Sequence, residues 1–362
     1  MILFDIAAAM AGTFLVIFTV SSAIRTFVLP RGVPDRLTRF VYVISRRLFN
    51  LRLRKVKSYI IRDRVLAYYA PVTLVTFPLV WLTLVTIGFS IIFVGVGDYT
   101  FFEAYRLSGS AITTLGFATA DGYVEHALVF TEAAMGLVLV AILISYLPTM
   151  YSAFSSREKI VTKLDVRAGS PPSAIELIKR SYRIGLDHEL TDFWIEWENW
   201  FVQIEESHTS LPSLVFYRSP VPEYNWVVAA GVILDSAALL NSAVDDGGDP
   251  HADLCIRAGY LALRRISSFF GVTYNEAPTF EDTISISREE FEAACDELFA
   301  SGIPIIEDRD QAWQDFRGWR VNYDSVLLAM CNIVMAPYAP WSSDRAHLYT
   351  ESVPIPIFYE NR

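Results

Sequence analysis

The sequence predicts an all-α membrane protein: three transmembrane helices with one re-entrant loop between the second and third, followed by an α-helical cytoplasmic domain. Three observations carry this. The 362 residues are 53% hydrophobic and only 19% charged, below the roughly 25% charged content of ordinary soluble domains. Three long stretches lack any charge. From Ser155 onward, apolar residues recur at helical spacing between Pro, Gly and Asp breakers, and the mean hydropathy of the whole chain is +0.34. The formal net charge of −10 argues against a nucleic-acid partner.

The uncharged stretches are the 19 residues from Ile6 to Ile24, the 33 between Arg64 and Asp98, and the 24 between Glu132 and Arg157. A helix rising 1.5 Å per residue needs about 17 to 25 apolar residues to cross about 30 Å of hydrocarbon, so each predicts a span. The first is expected to remain in the mature protein, because it opens on Asp5 and lacks the basic leading segment of a secretory signal. The predicted organisation is an N-terminal helix (1–30), a basic cytoplasmic loop (31–66), a helix–loop–helix membrane domain (67–154), a helical cytoplasmic domain (155–345) and a C-terminal tail (346–362).

Residues 31–66 hold eleven basic residues, among them Arg31, against Asp35 and Asp63, a net of +9. The excess places this loop on the cytoplasmic side, so the N-terminus is expected outside and the C-terminus inside a cell membrane. Two readings of the loop stand side by side. It is a topology determinant attracted to lipid headgroups, or it is a lipid-responsive gate element preceding the next helices. Residues 155–362 carry 17 basic and 32 acidic residues.

The connection between the second and third spans begins Gly97-Asp98-Tyr99-Thr100. Its first half is predicted to form a short helix, about Phe101 to Ile112, and its second half is rich in threonine, glycine and small residues up to Asp121-Gly122. A helix followed by extended backbone at membrane depth is tolerated only where that backbone is buried in protein or lines a water-filled cavity. Read alone, Thr113 to Thr119 could equally be a threonine-rich external turn.

The motif itself carries a resemblance. Helix, pore helix, Thr-Thr-x-Gly-Phe, helix resembles the pore domain of the tetrameric potassium-channel superfamily, in its bacterial form with two helices and one pore loop. Here an extra N-terminal helix precedes it. The family filter reads Thr-Val/Ile-Gly-Tyr/Phe-Gly followed by Asp. Thr114, Leu115, Gly116 and Phe117 match its first four positions, and Thr113 matches the threonine that often precedes them. Ala118 stands at the second glycine and Thr119 at the aspartate. The pattern is also similar to potassium transporters that carry four such units per chain, whereas this chain has one.

The resemblance implies a homotetrameric cation channel, with potassium as the transported ion, monovalent cations and the lipid bilayer as partners, and no cofactor. It implies a selectivity filter at Thr113–Ala118 built from backbone carbonyl oxygens. A positive φ at Ala118 would cost about 1 to 3 kcal/mol and reshape the outermost site. Gly136 and Pro148 in the third span are the gate or hinge candidates, and Pro148 could equally mark where the helix kinks as it leaves the bilayer. Asp98, Glu103, Asp121 and Glu125 would form an acidic outer vestibule that concentrates cations. Glu132, near the outer end of the third span, is expected either to pair with a residue of the pore helix or, the favoured reading, to meet water at the interface. The competing reading is a non-conducting, pore-domain-like membrane anchor whose cytoplasmic helical domain binds a partner.

In the cytoplasmic portion, helices are predicted from Ser170-Pro171-Pro172 to about Gly185, then at 188–207, 226–244, 252–270, 288–301 and 325–335. No GxGxxG turn follows a strand, so a nucleotide-binding regulatory domain is not expected. Trp226 to Ala243 is apolar enough for a fourth span, but Asp235 and Asn241 within it favour a buried soluble helix. Phe193, Trp194, Trp197, Trp200 and Phe201 share a helical face and predict a core or inter-subunit surface. Glu205 and His208 have the spacing of a metal-ligand pair, with no second Glu-x-x-His to complete a site; His188, His251 and His347 lack the glutamate. Cys255, Cys295 and Cys331 form no ligand pair and predict free thiols. Neither catalytic triad nor P-loop is present, and no enzymatic activity is expected.

Overall fold

A computed structural model describes residues 2–29, 35–186, 190–279 and 281–345. The predicted C-terminal tail, together with Arg31, His188 and His347, lies outside the described residues. Among the described residues the fold is all-α; its one β feature is an isolated bridge between Val244 and Ile305. The helices are α1 (Ile2–Phe27), α2 (Arg36–Leu53), α3 (Tyr59–Leu66), α4 (Tyr69–Val96), α5 (Phe101–Ile112), α6 (Tyr123–Ala168), α7 (Ala174–Arg183), α8 (Leu190–Ser210), α9 (Trp226–Ala243), α10 (Pro250–Phe269), α11 (Arg288–Ala300), α12 (Arg309–Arg320) and α13 (Asp324–Val334). A short 3-10 helix occupies Pro212–Phe216.

The chain divides into two compact units, Met1–Ser45 with Ala70–Ser152, and Arg46–Tyr69 with Ala153–Arg362. Among the described residues, four segments are long and apolar enough to cross a membrane: Ile2–Phe27, Tyr59–Val96, Tyr123–Ala168 and Trp226–Ala243. The first three leave most of their apolar surface uncovered, with 17%, 39% and 17% of their windows buried, which fits a hydrocarbon surround. The fourth, α9, is 94% buried. Protein already occupies its perimeter.

In the first unit, α1 and α4 run antiparallel and meet through glycine. A Cβ on Gly12 would lie 2.5 Å from the Gly88 carbonyl oxygen, one on Gly88 would lie 2.7 Å from Val16 Cγ2, and one on Gly95 would lie 2.5 Å from the Asp5 carbonyl oxygen. Small residues let helices approach closely in lipid, where no hydrophobic effect drives them together. Farther along, Phe27 packs edge-on against Phe77, Trp81 and Tyr146, tying α1, α4 and α6 together. Asp35 accepts from Ser22 Oγ (2.5 Å) and from the Thr38 amide (3.1 Å), which anchors the start of α2 on α1.

The segment expected as a basic loop is helical instead. Arg36, Arg39, Arg46, Arg47 and Arg52 lie on α2 and Arg62 and Arg64 on α3, with Arg54, Lys55 and Lys57 in the link between them, and the apolar positions Leu53 and Leu66 pack with Met335 in the second unit. The charge excess concealed a 3.6-residue apolar period.

The second unit is built around α9, which packs against α7, α10, α12 and α13. Asp235, the residue that argued against a fourth span, is buried there; it accepts from Tyr323 Oη at 2.8 Å and pairs with Arg320. Arg320 is fully buried, also pairs with Asp324 at 2.7 Å, and donates to the Trp341 carbonyl at 2.6 Å. The predicted aromatic face of α8 is buried core, with Phe193, Trp194, Trp197, Trp200 and Phe201 all inside. The cap of α7 is Ser173, whose side chain accepts from the Glu176 amide at 3.1 Å; it lies three residues beyond the predicted Ser170, because α6 continues to Ala168. Helix α12 was not predicted. Only Ala312, Phe316 and Arg320 of its twelve residues are buried, too few to reveal a period in so polar a segment.

Candidate functional site

The site is assembled from α5, the residues after it and the flanks of α4 and α6. Helix α5 starts at a capping box: Thr100 accepts from the Glu103 amide, and the Glu103 carboxylate accepts from the Thr100 amide at 2.9 Å. One expected vestibule carboxylate is thereby occupied in holding the helix start. Asp98 and Asp121 are exposed, and the Glu125 carboxylate fills the space beside Gly97 and Gly122.

The inner face of α5 presents Ala104, Leu107, Ser108, Ala111 and Ile112 to its neighbours. Ser108 Oγ lies 3.0 Å from the Thr86 carbonyl, ten residues short of the end of α4, or about 15 Å along that helix. It also bonds to Glu132, which is fully buried on α6. Of the two expectations for Glu132, contact with water is corrected and pairing with a residue of α5 is what the structure has. The intervening loop turns α5 back along α4, and this carries Ser108 to the glutamate.

Gly136 lies inside unbroken α6, where a Cβ would sit 2.6 Å from the Ile112 carbonyl oxygen. Its place in the structure is a close helix–helix approach, set where α5 ends. Pro148 is exposed within α6, which continues through it to Ala168. The helix is 46 residues long, about 69 Å, more than twice the hydrocarbon thickness.

Beyond Ile112 the backbone alternates in handedness. Thr113 closes the helix at φ −87°, Thr114 has φ 55°, Leu115 returns to negative φ, and Gly116 has φ 70°. Such alternation turns successive peptide groups through opposite rotations and leaves carbonyl oxygens outside the helical ladder. The turn is pinned to Ser110, whose carbonyl accepts from the amides of Leu115 (3.0 Å) and Gly116 (3.4 Å) and whose Oγ accepts from the Ala118 amide (3.0 Å). Ala118 does not have a positive φ, so the strain expected there falls on Thr114, at about 1 to 3 kcal/mol. No local pattern marked Ser110, because its partners lie five to eight residues away in a non-helical turn.

The side chains of Thr113, Thr114, Leu115 and Phe117 are exposed, Leu115 by 69% and Phe117 by 57%. The Arg106 guanidinium lies 5.9 Å from the Phe117 ring centre, within cation–π range. A groove of about 490 Å³ runs between α4, α5 and α6 past Thr83, Thr86, Thr113 and Thr114, with Leu79 and Leu137 on its walls.

Helix α6 divides into three faces. Glu132, Gly136, Leu139, Tyr146 and Met150 are buried. Thr131, Ala134, Val138, Ala141, Ser145 and Thr149 follow one another at spacings of three or four and are exposed. Phe130, Leu137, Ile144 and Tyr151, seven apart, form a separate exposed ridge. The hydroxyls of Thr131 and Ser145 donate to the carbonyls of Ala127 (2.8 Å) and Ile142 (2.9 Å), which satisfies them without a partner helix.

In the second unit, His208 is buried, with Nε2 3.1 Å from Arg157 Nη1, while Glu205 pairs with Arg265. The structure therefore does not join Glu205 and His208 as ligands. Burial and the neighbouring Arg157 hold the His208 imidazole well below its usual range. The three cysteines are buried free thiols, and burial pushes all three up. Among the described residues, no three His, Cys, Asp or Glu side chains group as a metal site. A groove of about 860 Å³ in this unit is lined by polar residues including Asp249, Asp253 and Asp315, beside Tyr260 and Trp319.

No protein family, curated protein or solved structure matches this chain.

Proposed function

We propose that this chain is one subunit of a homotetrameric cation channel, permeable to potassium, with its ion path along the backbone of Thr113–Ala118. The observation that carries the reading is the alternation of handedness at Thr114, Leu115 and Gly116, directly after a short helix lodged between two membrane helices. A conducting filter needs carbonyl oxygens free of the helical ladder to replace an ion's hydration shell, and this backbone supplies them. In the proposed arrangement α5 is the re-entrant pore helix. Its C-terminal end, the negative pole of its dipole, lies at Thr113 and favours a cation.

The three faces of α6 fit the same assembly. The buried face meets its own α5, the small and hydroxyl-bearing face turns toward the four-fold axis, and the Phe130, Leu137, Ile144 ridge meets neighbouring subunits or lipid. The proposed topology puts the N-terminus outside and the second unit in the cytoplasm, following the basic residues of 31–66. No cofactor is required.

A second reading, a non-conducting anchor whose helical domain binds a partner, draws support from Arg106. Its guanidinium beside Phe117 is a fixed positive charge next to the proposed path. The mass of the assembly in lipid nanodiscs tests the channel reading. Four copies per particle are expected, and a monomer overturns it, since one pore unit cannot enclose a four-fold axis.

A further inference from the structure

Residues 46–69 belong to the second unit and connect directly into spanning helix α4. Their inner side is fixed to that unit. Leu53 and Leu66 pack with Met335, and Asp63 is buried in a pair with Arg218, which also donates to the Met335 carbonyl at 2.8 Å. Arg46 is buried as well and donates to the Ile333 carbonyl at 3.1 Å.

The outer side is different in kind. Arg47, Arg52, Arg54, Lys55, Lys57 and Arg64 are all exposed, and Asp63, the single acid of the segment, is turned inward. Between these cations stand Leu48 (62% exposed), Leu51 (60%), Ile60 (53%) and Ile61 (51%). Water alone gives no reason to expose four large aliphatic side chains within one short segment. A protein partner would tolerate them, but chain connectivity selects another occupant. Helix α3 ends three residues before α4 begins and its eight residues cover about 12 Å, while Leu53 at the end of α2 packs in one cluster with Leu66 at the end of α3, so chain connectivity keeps this face close to the start of α4.

We infer that the outer face of residues 47–64 is a docking surface for anionic phospholipid, with its aliphatic side chains entering the acyl boundary and its six cations on phosphate headgroups. Basic residues flanking exposed apolar ones at a membrane surface are the physical requirement for interfacial binding. Each charge is worth about a five-fold change in affinity for an anionic leaflet. Because the inner side of the segment grips Met335 and Arg218, lipid occupancy bears directly on the second unit. The inference does not depend on conduction.

The test uses the full chain in nanodiscs of phosphatidylcholine alone and of phosphatidylcholine with one quarter phosphatidylglycerol. Backbone hydrogen exchange is read across 47–64, with α9 as the folding control. Several-fold slower exchange is expected in the anionic discs, lost in 1 M salt and lost in an Arg52→Gln, Arg54→Gln, Lys55→Gln, Lys57→Gln variant whose α9 exchanges as in the parent. Leu48→Ser with Leu51→Ser should speed exchange in both lipids. Equal protection in the two lipids, or protection unchanged in the charge variant, overturns the proposal. Equal protection from soluble glycerol phosphate would also overturn it, because the site would then be an ion pocket and not a membrane surface.

Discussion

Adding one methyl group at Gly136 separates two accounts of that residue. If Gly136 serves as a flexible point in α6, alanine should stiffen the helix and raise its stability, since glycine inside a helix is about 1 kcal/mol less favourable than alanine. The packing predicts the opposite. The new Cβ would lie 2.6 Å from the Ile112 carbonyl oxygen and 2.9 Å from Ile112 Cγ1, against an ordinary contact of 3.4 Å or more. The oxygen belongs to the backbone at the last residue of α5, so it cannot rotate away, and α5 must shift by about 0.8 Å (3.4 less 2.6). Overpacking of this kind costs about 1 to 3 kcal/mol. Gly318 in α12 provides the control, because a Cβ there meets nothing within 4 Å. Gly318→Ala should therefore stabilise by about 0.5 to 1 kcal/mol, and Gly136→Ala should fall about 1 to 3 kcal/mol below it. Thermal unfolding of the purified full chain in one detergent, followed by circular dichroism, reads the order. Gly136→Ala melting at or above Gly318→Ala would refute the close approach of α6 and α5.

Other predictions concern the second unit and the α1–α4 contact. His208 stays neutral when folded, whereas the unfolded chain takes up its proton near pH 6.5, so its contribution is fully present above that pH and is lost as pH falls, by at most about 1.4 kcal/mol per unit. His208→Gln should flatten the difference in denaturation midpoint between pH 7.5 and 5.5; an unchanged pH dependence would exclude this role. Arg320→Leu leaves Asp235 and Asp324 without their cation and should cost about 3 to 5 kcal/mol in chemical denaturation. Adding Asp235→Leu should recover part of that loss, and strict additivity of the two changes would contradict the coupling. Gly12→Val drives a side chain into the Gly88 carbonyl and should lower the melting temperature, whereas Met10→Val, at a 69% exposed position, should not; equal effects would rule out the glycine contact.

How far the sequence reached depends on whether a signal was local. The extent of helix α5 was legible because a stretch of threonine, glycine and small residues follows it, whereas the capping role of Glu103, expected in the vestibule, was not. The enclosed position of α9 was legible from Asp235, which hydrocarbon would penalise and which Arg320, 85 residues away, could neutralise. The helices of the basic segment were obscured by their own charge, because its arginines interrupt the apolar stripe. In the candidate site, the Thr113–Ala118 string was visible as a motif. The residues that hold it were not: Ser110 reaches Ala118 across a turn, and Ser108 meets Glu132 only after α5 folds back between α4 and α6. Ala118 was expected to bear the backbone strain from its place in the motif. The conformation assigns it to Thr114, because a motif fixes residue identity and not φ.

Ion flux tests the central claim most directly. Purified chain reconstituted into potassium-loaded liposomes should release potassium when an electrical shunt is provided, and Gly116→Asp, which places a side chain at a residue with φ 70°, should abolish that release while leaving assembly mass unchanged. No release from the parent across voltage, pH and lipid composition would contradict the account, as would release that Gly116→Asp leaves intact.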